Sequence, residues 1–267
     1  MSRVAPRFER YVAIGDSSTE GLKDPDGAGG YRGWSQRLAE RIARTQGGLL
    51  YANLAVRGRR TRQVRDEQLA PALAMRPDLA SVFAGTNDVV ARNFDPGAVS
   101  RDSALMMREL VGIGATVLTF TLPDLTPIMP LARAIAPRVL ALNAGLRAAA
   151  ESSGAILVDF AAHPIATDPR LWDADRIHAN SAGHARIAEA LAAALGLPDS
   201  DASWREPLPA LVPRPRAHRL VAEATWMACH LLPWAMLSAL GISLPSRREP
   251  KRPALELVLS KRAGGKA

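Results

Sequence analysis

Short apolar runs alternate with amphipathic stretches from residue 10 to about residue 200. The runs Tyr11–Ile14, Leu49–Asn53, Leu79–Ala84, Thr116–Phe120 and Ile156–Asp159 are bounded by Gly, Pro or polar turns, and their lengths suit buried strands. Between them, Gly33–Arg44, Thr61–Ala74, Gly97–Gly112, Leu131–Ser152 and Ser181–Leu195 carry helical spacing. The fourth of these is rich in Ala, Leu and Arg and meets a stop at Gly154. Strands that alternate with helices predict an α/β fold, with a central parallel sheet of about five strands and helices on both faces. No internal repeat appears. At 196–215 the composition shifts to Gly, Pro and Arg. We place a domain edge there, with a body over 1–204 and a C-terminal extension over 205–267.

The chain has 267 residues, 48% hydrophobic and 22% charged, enough to build a sizeable core and unlike a disordered chain. Cys229 is the only cysteine, which excludes an internal disulfide and a cysteine zinc cluster. A buried small hydrophobe is the expected role for it. The first ten residues lack the apolar core of a secretory signal, so a cytoplasmic location is expected. The net charge of +8 is uneven. Residues 205–267 hold eleven Lys and Arg against four Asp and Glu. The body is nearly neutral and only 5% of the chain is aromatic, so no basic stripe with stacking rings points to nucleic acid. The pattern sets no oligomeric state.

Parallel sheets bind ligands beyond the carboxyl ends of their strands. Gly15-Asp16-Ser17-Ser18 follows the first predicted strand, and the second leads to Asn53 and then Arg57-Gly58. Gly85-Thr86-Asn87-Asp88 follows the third, and Asp175-Arg176-Ile177-His178 lies in the last loop. Acyl transfer by serine needs a nucleophile, a base, a carboxylate to orient the base, and donors for the oxyanion. Ser17 sits on a glycine turn directly after a strand. His178 lies three residues after Asp175, so one short turn can hold both. Gly58, with no Cβ, can bring a bare N–H close to substrate, and Asn87 adds an amide donor.

These blocks resemble those of SGNH hydrolases, also called GDSL esterases/lipases: GDSS at 15–18, the glycine ending NLAVRG, GTND at 85–88 and DRIH at 175–178. They occur in the family's order and span residues 10–195. The resemblance implies a flavodoxin-like three-layer αβα sandwich. It implies Ser17 as nucleophile, His178 as base and Asp175 as the partner of His178. The Ser17 N–H, the Gly58 N–H and the Asn87 side chain would form the oxyanion hole. It also implies a small-molecule ester substrate and neither a metal nor an organic cofactor. A thioesterase or acyltransferase would use the same triad, and a lipid-surface-binding protein with a vestigial site is a rival of another class. The family's usual leucine after the serine is Ser18 here, which leaves Ser17 favoured by its place after Gly-Asp.

Other readings are plainer. A serine in the position of Ser17 is more often a helix N-cap. Asp16 reads as a turn-stabilising carboxylate, Asp88 as a buttress for the Asn87 loop, His184 as structural and His163 as a solvated loop residue. Asp173-x-Asp175 lacks the further carboxylates of a metal site. Gly27, Gly29 and Gly30 lack the lysine and spacing of a phosphate loop. Pocket walls are expected from Val89, Val90 and Phe94, from Leu122–Ile128, and from Leu171 and Trp172. The apolar segment 217–244 admits two readings. In one, Leu220, Val221, Ala224, Met227, Ala228, Leu231 and Leu232 cover the body and the basic end is disordered. In the other, Trp226 and Trp234 anchor the protein peripherally on an anionic membrane, helped by Arg247, Arg248, Lys251 and Arg252.

Overall fold

The structure is a computed structural model that describes residues 6–210, 216–233, 236 and 249–259. Five strands run parallel: β1 (Arg10–Gly15), β2 (Gly48–Asn53), β3 (Leu79–Phe83), β4 (Thr116–Phe120) and β5 (Ile156–Val158). They lie within one residue or two of the runs read from the sequence. A sixth strand, β6 (Arg252–Leu259), pairs antiparallel with β2, and the sheet order is β5-β4-β3-β1-β2-β6. Without β6 this is the flavodoxin-like order, in which the direction of winding reverses between β1 and β3.

The expectation that the basic end is disordered therefore fails over 252–259. The missed signal is the short apolar run in Arg252-Pro-Ala-Leu-Glu-Leu-Val-Leu, hidden inside a stretch dominated by its charge. Leu255 and Val258 pack against the core, whereas Leu257 and Leu259 face solvent.

The helices are α1 (Ser17–Glu20), α2 (Gly33–Gln46), α3 (Thr61–Ala74), α4 (Thr86–Val89), α5 (Pro96–Gly112), α6 (Ala136–Ser153), α7 (Ser181–Ala194) and α8 (Arg216–Trp226). On one face of the sheet α2 packs with α7; on the other α5 packs with α3 and α6. The predicted Leu131–Ser152 helix is split: residues 130–134 form a tighter turn and α6 starts at Ala136, with Pro137 in its first turn. Tyr11, Trp34, Tyr51 and Leu118 are fully buried between these layers. Buried hydroxyls pair, Tyr11 with Ser81 of β3 at 2.8 Å and Tyr51 with Ser35 of α2 at 2.8 Å, which removes the cost of desolvating them alone.

Over the described side chains the α8 segment departs from the reading of 217–244 as a cover; the side chains of Leu220 and Leu231 lie outside the described residues. Val221, Ala224, Met227, Ala228 and Leu232 are exposed and cover nothing, and Cys229 is exposed as well. Among the described side chains of this segment, Trp226 is the buried one. Its indole N–H donates to the Asp175 carbonyl at 3.3 Å, and the Arg176 guanidinium lies 4.7 Å from its ring. An indole with a polar partner and a cation over its face is satisfied on the protein body. Trp234, Arg247 and Arg248 lie outside the described residues. Among the described residues no helix is long and apolar enough to cross a membrane.

Because β6 covers the whole of β2, a chain truncated after Trp204 should lose several degrees of melting temperature relative to full length, as circular dichroism would show. An unchanged midpoint would mean that the sixth strand contributes nothing to stability.

Candidate active site

The first turn of the site is set by sterics. A Cβ on Gly15 would lie 2.2 Å from the Phe83 carbonyl oxygen and 2.3 Å from Thr19 Oγ1, so only glycine fits where β1 turns into α1. Gln68 of α3 clamps this glycine from both sides: it accepts from the Gly15 N–H at 2.8 Å and donates to the Gly15 carbonyl at 3.0 Å. Asn53, at the end of β2, donates to the Thr19 carbonyl at 2.8 Å. Asp16 is the N-cap of α1, accepting from the Ser18 N–H at 3.0 Å. The cap role thus falls to Asp16, and the hydroxyl of Ser17 stays free for another partner.

That partner is His178, whose Nε2 lies 3.0 Å from Ser17 Oγ. Its Nδ1 lies 2.9 Å from Asp175 Oδ2. The other oxygen of Asp175 accepts the backbone N–H groups of Ile177 and His178, both at 2.9 Å. The turn is closed by a bridge between Trp172 and Ala179 and passes through Arg176 at φ 60°. Burial opposes the charge on Asp175, but the hydrogen bond and charge of His178, with the two backbone donors, outweigh it and hold the carboxyl down to about 2. Asp175 is therefore ionised throughout the working range. Lys23 adds a cation beside the turn, 3.1 Å from Asp173 and 3.9 Å from Asp175.

The expected oxyanion donors are neighbours. Asn87 Nδ2 donates to the Arg59 carbonyl at 3.0 Å and approaches Asp16 Oδ2 at 3.4 Å, so it sits between the residue after Gly58 and the residue before Ser17. Gly58 takes φ 78°, a left-handed conformation that glycine adopts without strain. Asp88 accepts from the Thr61 N–H and hydroxyl, both at 2.9 Å, and so ties the Asn87 helix to α3. His184 accepts from the Trp34 N–H and donates to the Leu22 carbonyl; burial pushes its pKa down to about 4, and it stays neutral.

An apolar cavity of about 80 Å³ opens beside Ser17 and His178. Leu122, Pro123, Leu171 and Trp172 line it as expected, but Val89, Val90 and Phe94 do not. An aromatic part of its wall was not foreseen: Phe83, Phe120 and Phe160, at or just after the ends of three successive strands, and Trp204 edge-on to Phe160 at 5.4 Å. His163 is a half-buried loop residue whose ring packs edge-on against Trp204 at 4.9 Å. Among the described residues no group of three His, Cys, Asp or Glu is placed to hold a metal ion.

The chain's fold recurs among solved structures. TesA superposes with a TM-score of 0.59 at 22% identity, covering 70% of this chain and 98% of that one. LAE5, an α/β hydrolase from the metagenome of Lake Arreo, Spain, gives 0.60 at 24% identity, covering 74% and 99%. A catalytic mutant of Axe2, an acetylxylan esterase from Geobacillus stearothermophilus, gives 0.59 at 17%, covering 75% and 99%. No curated protein matches the sequence. Residues 13–186 match the GDSL-like lipase/acylhydrolase family, and the chain belongs to it. It is a hydrolase of that family.

Asp16 makes the site's stability sensitive to pH. Burial raises its carboxyl from 3.8 to about 7; the Ser18 N–H and the charge of His178 oppose this, and Asp88 adds to it. In the unfolded chain an aspartate ionises near pH 3.9. Between those values the folded state binds the extra proton, so stability falls as pH rises from about 4 to 7. Asp16→Asn removes this slope. The wild type should lose a few kcal/mol relative to the variant across that window in urea titrations at stepped pH. A constant difference from pH 4 to 8 would show that Asp16 titrates normally.

Proposed function

We propose that this protein hydrolyses carboxylic esters through an acyl-serine intermediate, with Ser17, His178 and Asp175 as the triad. The observation that carries the reading is the unbroken relay of 3.0 Å from Ser17 Oγ to His178 and 2.9 Å from His178 to Asp175. His178 Nε2 takes the Ser17 proton as Oγ bonds to the carbonyl carbon. The carbonyl π electrons move to oxygen, and the oxyanion is met by the N–H groups of Ser17 and Gly58 and by the Asn87 amide. His178 then gives the proton to the leaving alcohol as the ester C–O bond breaks. Water repeats the sequence on the acyl-serine: His178 takes its proton, the carboxylic acid leaves, and Ser17 is restored. Asp175 stays ionised, fixes the imidazole tautomer and offsets the imidazolium charge.

The cavity supports a small acyl group. Its volume, about 80 Å³, is about half that of a 150 Å³ apolar pocket that admits benzene. Acetyl to butyryl chains suit it.

A fluorophosphonate probe should label Ser17, and Ser17→Ala should abolish labelling and cut kcat on p-nitrophenyl butyrate by about 10⁶. Labelling at Ser18 would move the nucleophile. Asn87→Ala should lower kcat by about 10²–10³ with KM much less changed, because its donor matters most in the transition state. Steady-state kinetics in which KM rises and kcat holds would make Asn87 a binding residue instead.

A further inference from the structure

The family match ends at residue 186, and the TesA, LAE5 and Axe2 structures are almost fully covered by about three quarters of this chain or less. The C-terminal extension is thus additional to what these folds share, yet it reaches the site. Just before β6, Lys251 donates from Nζ to the carbonyls of Tyr31 at 2.7 Å and Arg32 at 2.9 Å. These carbonyls end a small closed loop. A bridge joins Pro25 to Tyr31, and the Asp26 carboxylate accepts from the N–H groups of Ala28 and Gly30. The Tyr31 ring, in turn, has the Arg57 guanidinium 5.3 Å from its centroid.

Arg57 is also held by Glu20, which is 2% exposed. One carboxylate receives the Arg57 backbone N–H at 2.9 Å, its Nε at 3.1 Å and its terminal nitrogen. Glu20 ends α1, the helix that begins with Ser17, and Arg57 directly precedes Gly58. The residue before Gly58 is therefore tied to the helix of Ser17 by an ion pair whose carboxylate is buried, and the Tyr31 ring lies against the guanidinium of that pair.

We propose that the extension is a working part of the active site: Lys251 fixes the 25–32 loop and, through Tyr31, Arg57 and Glu20, aligns the Gly58 N–H with the oxyanion. The proposal rests on the ester-hydrolysis reading above. Lys251, Tyr31 and Glu20 are positioning residues; the hydrogen bonds and ring contacts described for them include none to Ser17 or His178. A lysine is a costly choice if its role were only to seat β6. Burial pushes its ammonium down to about 8, although Glu20, Asp26 and Asp24 support the charge against Arg252. An apolar side chain would anchor the strand without that cost. The ammonium does what an apolar group does not: it gathers two successive carbonyls into one fixed geometry.

The test uses full-length protein and p-nitrophenyl butyrate. Lys251→Met should lower kcat by about 5- to 20-fold with KM within about twofold, since only a transition-state donor is displaced. Lys251→Arg, which can still donate to both carbonyls, should restore most of kcat. Tyr31→Leu tests the second link at a half-buried position where folding is not at stake, and should give the same split. Because both act on one donor, the Lys251→Met/Tyr31→Leu double variant should lose little more than the worse single variant. Folded Lys251→Met protein with a normal kcat, a loss that Arg does not rescue, or fully additive losses would each overturn the relay. Absence of wild-type activity, or activity that survives Ser17→Ala, would sink the ester reading itself and is recorded separately.

Discussion

The site depends on how closely β1 can turn against β3 at Gly15. No other residue fits there, because a Cβ would meet the Phe83 carbonyl at 2.2 Å. Gln68 and Asn53 then pin the turn with hydrogen bonds made entirely inside the core. Inside a protein such bonds are strong and unforgiving, since a lost partner leaves a buried polar group unsatisfied. Ser17 is consequently presented by a rigid backbone at the point where the winding of the sheet reverses. The serine needs no strain of its own to reach His178.

The site is assembled from two halves of different character. Around Ser17 the parts are buried and interlocked: Asp16 is fully buried and Glu20 nearly so. Around His178 they are half-open, on a turn shaped by the bonds of Asp175 to two backbone N–H groups and braced from outside by Trp226, on whose ring the turn's own Arg176 lies. Arg176 also donates to the Ile128 carbonyl at 3.1 Å and pairs with Glu223 at 2.8 Å. The base therefore sits on the more open side and the nucleophile on the buried side.

Much of this was legible in the sequence, and for physical reasons. Periodicity located all five parallel strands, because each is a short apolar run between turn residues. The four motifs identified Ser17, Gly58, Asn87, Asp175 and His178, and the fold brings Ser17, Asp175 and His178 into one hydrogen-bonded chain with Asn87 beside it. Residues whose importance comes only from distant partners were not legible. Gln68 and Asn53 look like ordinary polar residues until folding places them beside Gly15 and Thr19. Glu20 and Lys251 look like surface charges, and nothing local reveals that both lose much of their water. Phe83, Phe120 and Phe160 read as strand core, and only the side-by-side order of β3, β4 and β5 turns them into one wall. The cover expected from Val221 and Met227 failed because helical spacing shows which residues share a face but not which way that face points.

The antiparallel edge strand has a consequence for biosynthesis. Lys251 meets Tyr31 across 220 positions of the chain, and β6 pairs with a strand made some two hundred residues earlier. As the polypeptide leaves the ribosome, β2 is among the first strands to emerge and the last to gain its outer neighbour. Its open ladder must wait through the synthesis of nearly the whole domain. If the Lys251 relay holds, the nascent hydrolase acquires a finished sheet and an aligned oxyanion donor in the same event, so it would reach its full rate only once residues 251–259 have been made.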